Sequence, residues 1–283
     1  MEVGLLMLAG GVAAGAFGSV LGLGGGLLIV PLLTFGFGLS LREAVGVSLV
    51  CVIVTSSASA GVYLQRRQAN LRLGMVLELF TGIGAVIGGT IAFLVDERLL
   101  AGLFAVLVLY VAGTLVRSAG RPGAPATTDE AALEAALDVP DEDAATVDAD
   151  AHTLGLAPAA VGRLPFAAVA STGAGVLSAL LGIGGGLVKV PLMHLSLGVP
   201  LRIATATSNL MVGITASTSA IVYLLRGGID AYATGPTAIG VFVGATLGAR
   251  LGHRLDVRVL RLLFVAVLVY TAFEMGRRAL VGT

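Results

Sequence analysis

Residues 21–33 read LGLGGGLLIVPLL, and residues 181–193 read LGIGGGLVKVPLM. The two stretches lie 160 positions apart, and the same offset keeps matching without a gap far beyond them. Leu41-Arg42 meets Leu201-Arg202, Ser48 meets Ser208, and Val62-Tyr63-Leu64 meets Val222-Tyr223-Leu224. Gly84-Ala85 with Gly88 meets Gly244-Ala245 with Gly248, and Asp96 with Arg98 meets Asp256 with Arg258. The chain is therefore built from two copies of one unit. Corresponding interrupted segments in paired halves are a mark of membrane transporters.

Outward from these motifs the sequence is apolar. The chain is 57% hydrophobic and only 12% charged, with a mean hydropathy of +0.99. Soluble domains carry about 25% charged residues, enough to coat a globule. Too little charge remains here for a water-facing surface, so lipid is the solvent for much of the chain. After Glu2 no charge appears until Arg42, and 44–64, 99–116, 203–225 and 231–249 are charge-free. Leu73 to Val95 is interrupted only by Glu78. Runs near ~20 apolar residues suit helices crossing ~30 Å of hydrocarbon. Helices satisfy their own backbone groups in lipid, whereas a barrel needs short alternating segments, which are absent from this sequence. The expectation is an all-α integral membrane protein. The start of the chain has no basic n-region and reads as a retained membrane segment. Cys51, the single cysteine, reads as a packing residue. No basic stripe or aromatic platform points to nucleic acid.

The organisation expected is an N-terminal transmembrane repeat over 1–117, an acidic soluble linker over 118–163, and a C-terminal transmembrane repeat over 164–283. Residues 118–162 hold nine of the seventeen acidic residues and four of the nine prolines, the composition of a solvated tether. Each repeat offers five apolar elements, in the first Val3 to Leu21, Leu27 to Phe37, Ala44 to Leu64, Leu73 to Val95 and Leu99 to Val116. The second element is too short to span alone. Counted as a crossing it makes the halves inverted; counted as re-entrant it makes them parallel. Inverted halves with the linker inside put eleven arginines in inner loops against five outside. Parallel halves leave the cations nearly balanced, so the positive-inside rule favours inversion.

The chemistry is expected at the breaks. Gly22, Gly24, Gly25 and Gly26, mirrored by Gly182, Gly184, Gly185 and Gly186, are poor helix interiors, each glycine costing roughly 1 kcal/mol relative to alanine. Followed by Pro31 and Pro191, they mark broken helices. A break exposes N–H groups and the positive end of a dipole, a setting for an anion. The alternative is close helix packing through small residues. Neither GxGxxG nor GxxxxGK[ST] is completed, so nucleotide loops are excluded. Lys189, the only lysine, stands where the first half has Ile29. An ammonium at this depth is a substrate ligand, or it snorkels, or it pairs with a carboxylate such as Glu78. Glu78 is then either a proton carrier or that counter-ion. Ser48, Thr207, Ser208 and Asn209 are candidate polar contacts, with Asn209 and Ser208 foremost because a buried amide or hydroxyl needs a partner. Thr215, Ser217, Thr218 and Ser219 read as hydroxyls bonding the backbone, and His194 falls beside the same region.

These motifs, with VPLRIATATSNLMVGITAS over 199–217, resemble the sulfite exporter TauE/SafE family of membrane permeases. The resemblance covers about 21–110 and 181–270. It implies a multi-pass carrier of the prokaryotic plasma membrane, with sulfite, sulfonates or related small anions as substrate class. Lys189 and the acidic linker depart from the family pattern. The expected function is secondary transport of such an anion without cofactor or metal, the rival being an anion channel. No catalytic motif supports an enzyme.

Overall fold

The computed structural model of the protein describes residues 2–20, 26–65, 70–119, 162–251 and 257–281, and every regular element within them is helical. The first half comprises α1 (Glu2–Val20), the short α2 (Gly26–Pro31), α3 (Leu41–Gln65), α4 (Leu71–Leu94) and α5 (Glu97–Ala119). The second comprises α6 (Leu164–Leu181), the short α7 (Gly186–Pro191), α8 (Leu201–Leu225), α9 (Ala231–Leu251) and α10 (Val257–Val281). Element for element the halves correspond. Most of the acidic segment, 120–161, lies outside the described residues, as do Gly22, Gly24 and Gly25.

Each short helix runs into a π-helical turn, Leu32–Gly36 after α2 and Leu192–Ser196 after α7. The reason lies in Pro31 and Pro191, the last residues of α2 and α7. A proline has no N–H to give the carbonyl four residues back, and its ring crowds that carbonyl. Widening the next turn relieves the crowding.

The halves are interleaved rather than side by side. α1 packs chiefly on α9 of the other half, and α6 packs chiefly on α4. Glycines permit this contact. A Cβ added at Gly84 or Gly88 would strike the backbone of Thr172 or Val176 on α6. At the equivalent positions, Gly244 and Gly248 lie against the backbone of Val12 and Ala16 on α1. Residue numbers rise together along both contacts, so α4 runs parallel to α6 and α1 runs parallel to α9. Such close approach is the usual mode of helix association in lipid, where apolar burial supplies no drive.

The surface fits that solvent. Large apolar side chains such as Leu5, Met75, Leu79, Val106, Val169 and Leu225 are exposed. Among the described residues, four helical segments are long and apolar enough to cross a membrane: Leu71–Leu94, Glu97–Thr114, Leu164–Leu181 and Ile203–Leu225. The sequence expectation of a multi-pass, all-α membrane protein is met.

Candidate substrate site

Ser48 brings the described end of the first glycine motif to the second. Ser48 Oγ donates toward Gly182 O at 2.8 Å and Gly26 O at 3.2 Å, tying the end of α6 to the start of α2. Ser56 Oγ donates to Asn209 O at 2.7 Å across the α3–α8 crossing. In the second half the break is visible in the backbone. Gly182, Gly184 and Gly185 have φ of 71°, 73° and 79°, the left-handed region that side chains with a Cβ rarely enter. The chain leaves α6 at Gly182 and starts α7 at Gly186, as a broken helix.

One turn into α7 stands Lys189. Its side chain is 1% exposed, and Nζ donates to Glu78 Oε2 of α4 at 3.0 Å. Nζ also donates to Thr215 Oγ1 of α8. Thr215 in turn reaches Glu78 Oε1 at 2.5 Å and Met211 O at 3.0 Å. Its single hydrogen can serve only one of those two acceptors at a time. The ammonium has three donors and uses two among the described residues, leaving one N–H for a further acceptor. Three helices from both halves thus meet on a single charge pair.

Three buried hydroxyls on the neighbouring α6 and α8 have no partner among the described residues. Ser171, Ser178 and Ser208 are buried, and their Oγ atoms find no hydrogen-bond partner among the described residues. Ser171 and Ser178 are seven residues apart on α6 and so share a face. A Cβ built on Gly185 would lie 3.2 Å from Ser178 Cβ and 3.6 Å from Lys189 Cε. Ser208 stands next to Gly186, with its Oγ 3.7 Å from a Cβ built there. A buried hydroxyl left unpaired is costly, so donors of this kind, beside an ammonium, suit an acceptor-rich guest.

The other candidates separate into groups. Thr207 is occupied, since its Oγ1 accepts the Asn70 N–H at 2.9 Å at the start of α4. Pro31 is buried at the α2–π junction, while Pro191 is exposed at the matching place. His194 is exposed and its Nδ1 lies 2.9 Å from Val199 O, away from the pair. Cys51 is buried in the apolar core. Of the second-half candidates, Lys189 reaches Glu78, Gly185 lies against Lys189, and Ser208 lies against Gly186. Ser171 and Ser178 are not singled out by the sequence, and Thr215 reads there only as a hydroxyl bonding the backbone. The signal for Thr215 is position: Thr207, Met211, Thr215 and Ser219 recur every four residues along one buried face of α8.

A separate surface cavity of about 620 Å³ is lined by Arg42, Asp96, Glu97, Arg98 and Arg278. Two of its arginines have structural work. Arg42 donates to the carbonyls of Ala92 and Val95 at the end of α4, and Arg278 lies 4.7 Å from the Phe35 ring centroid.

The profile of the family described as "Sulfite exporter TauE/SafE" matches residues 7–275. The probable membrane transporter protein YunE of Bacillus subtilis (strain 168) is 25% identical over 270 residues, which covers 91% of this chain and 93% of that protein. The probable membrane transporter protein MamO of Magnetospirillum gryphiswaldense is 32% identical over 290 residues, 96% of this chain but 44% of that longer protein. No solved structure matches the chain. With duplicated broken helices and a family match across nearly its whole length, the chain belongs to the sulfite exporter TauE/SafE family of membrane transporters.

Proposed function

We propose that this protein is a secondary transporter for a small anion of the sulfite or sulfonate class, and that Lys189 is the cation its substrate meets. One observation carries the reading: a buried ammonium with an N–H to spare, set beside the Gly182–Gly186 break, against which the unpartnered hydroxyls of Ser178 and Ser208 also lie. An intramembrane charge is expensive and is retained for function far more often than for stability. Oxygen-rich anions offer several acceptors to such a cluster, and charge-assisted bonds are the stronger kind. The glycine turn leaves room for an approach that side chains would close.

Inverted halves suit this function, and the helix directions support them. Gly10 of α1 lies against Leu32, although the chain passes from Val20 to Gly26, so the short element doubles back along α1. Its Gly26 end sits by Ser48 and its other end turns into Leu41, so it is also antiparallel to α3. Arg42 bonds the end of α4, so α4 reverses again. α4 therefore opposes α1, while α9, the fourth helix of the second half, runs with α1. Opposed repeats around a central site are the architecture of alternating access.

The test is labelled-anion uptake into liposomes holding the purified protein, with sulfite and simple sulfonates as probes. Wild-type uptake with counterflow exchange, lost in Lys189→Met, is the expected result. Bilayer currents of high unitary flux without counterflow would favour an anion channel instead. Uptake undiminished in Lys189→Met would remove Lys189 from the site.

A further inference from the structure

Among the described residues, Glu78 and Lys189 are the charged side chains classed as buried, and each is the other's counter-charge. An anion binding at Lys189 changes that balance. With Glu78 ionised, the cluster of carboxylate, ammonium and guest holds a net negative charge away from water, the costly condition for an ion inside a protein. A proton on Glu78 removes the surplus. Resting on the reading of Lys189 as the anion ligand, we infer that Glu78 takes up one proton whenever a monovalent anion occupies Lys189, so that the two move together as a neutral load.

The geometry accommodates the exchange. At rest Lys189 Nζ donates to Glu78 Oε2 and to Thr215 Oγ1. In the loaded state the guest accepts from Nζ in place of Oε2, and a proton from water converts the carboxylate to a carboxylic acid. The new O–H needs an acceptor. Thr215 provides one by turning its own hydrogen from Glu78 Oε1 to Met211 O, 3.0 Å away. No bond other than the O–H of Glu78 is made, and on release the proton leaves and the ion pair closes. Thr215 is a positioning residue in this exchange.

Among the described residues no other buried carboxylate or imidazole stands ready to take the proton, and α3, which also packs on α8, carries Arg42, Glu43, the buried Cys51 and Tyr63. α6 carries no titratable group, and α7 carries only Lys189. On α8 the titratable groups are Arg202, in the first turn, and Tyr223, whose phenol donates to Ala179 O two turns beyond Thr215. α4 adds Arg72 in its first turn, and the π turn after α7 adds the exposed His194. The repeat fixes the stoichiometry. At the equivalent positions of the other half stand Ile29 for Lys189, Ala238 for Glu78 and Thr55 for Thr215. Only one of the two related sites is charged, so one anion and one proton move per cycle.

The test counts protons. Methanesulfonate and isethionate stay monovalent through the neutral range, so neither brings a titrating proton of its own. Binding of each to the full chain in detergent is followed by calorimetry, and proton uptake by an indicator dye in unbuffered solution. The expected result is one proton taken up per anion bound, with wild-type affinity falling roughly tenfold per unit rise in pH. In Glu78→Gln the affinity should be flat with pH and the proton uptake gone. Binding that needs Lys189 but takes up no proton would overturn the inference and leave the anion reading standing. Failure of both sulfonates to bind in a Lys189-dependent way would defeat the anion reading and the inference with it. The wild-type proton count decides even where Glu78→Gln fails to fold.

Discussion

Lys189 and Glu78 are 111 residues apart in the chain and 3.0 Å apart in the structure, and the contact joins the second half's short helix to the first half's fourth. Glu78 is on α4, which packs chiefly on α6 of the other half, so the charge pair sits where the two repeats bear on each other.

Breaking the pair from one side should therefore be expensive. Lys189→Met or Glu78→Gln alone is expected to cost about 3–5 kcal/mol, since either leaves a buried group without its partner. Thermal unfolding in detergent measures this, and an unchanged midpoint for both variants would show that the pair is not closed in the protein. The double variant should recover most of the loss.

Thr215 bridges both charges, so its hydroxyl matters more than its methyl. Thr215→Val should cost about 1–3 kcal/mol and depress anion uptake, while Thr215→Ser should retain most of both. Equal loss in the two variants would assign Thr215 to packing.

Ser48 and Ser208 occupy equivalent positions yet face different demands. Ser48 Oγ shares its one hydrogen between Gly182 O and Gly26 O, whereas Ser208 Oγ has no partner among the described residues. Ser48→Ala should lower stability by about 1–3 kcal/mol. Ser208→Ala should leave stability unchanged or raise it, and should weaken anion binding. Matching effects at the two sites in both assays would contradict the asymmetry.

Two glycines separate packing from chemistry. Gly84→Ala drives a methyl into the Thr172 backbone, so it should cost at least about 1–3 kcal/mol and cut folded yield and uptake together. Gly185→Ala strains a left-handed turn that touches Ser178 and Lys189, and uptake per folded molecule should fall. The comparison requires uptake normalised to monodisperse protein. Normal specific uptake by Gly185→Ala would return that glycine to a packing role.

Much of this was readable before any coordinates. The duplication, the helix breaks at the glycine–proline motifs, and the isolation of Lys189 and Glu78 follow from spacing and from the cost of charge in lipid. Thr215 was not legible, because a hydroxyl on a membrane helix ordinarily bonds the carbonyl four residues back, and Thr215 does reach Met211 O in that way. Its second contact depends on where α4 lies. Gly84 with Gly88 and Gly244 with Gly248 stand in the sequence only as matches of the repeat. Nothing in one sequence says that their partners are Thr172 and Val176, or Val12 and Ala16, since that pairing belongs to the interleaving of the halves.

Inverted halves with the linker inside, as proposed from the helix directions and the arginine distribution, predict the sidedness of two loops. In a Cys51→Ser background, a cysteine replacing Gly227 should react with an impermeant thiol reagent applied to intact cells. A cysteine replacing Asp143 should react only after the cells are opened. Reaction of both from the same side would reject inverted halves.

The most direct test of the account compares wild type with the Lys189→Met, Glu78→Gln double variant in liposomes, following counterflow of labelled methanesulfonate and sulfite. Removing both charges restores electrical balance in the core, so the variant should fold. If Lys189 is the substrate's cation, the folded variant should show anion counterflow no greater than protein-free liposomes. Counterflow at the wild-type rate in that variant would mean that Lys189 serves only to neutralise Glu78, and would contradict the central claim.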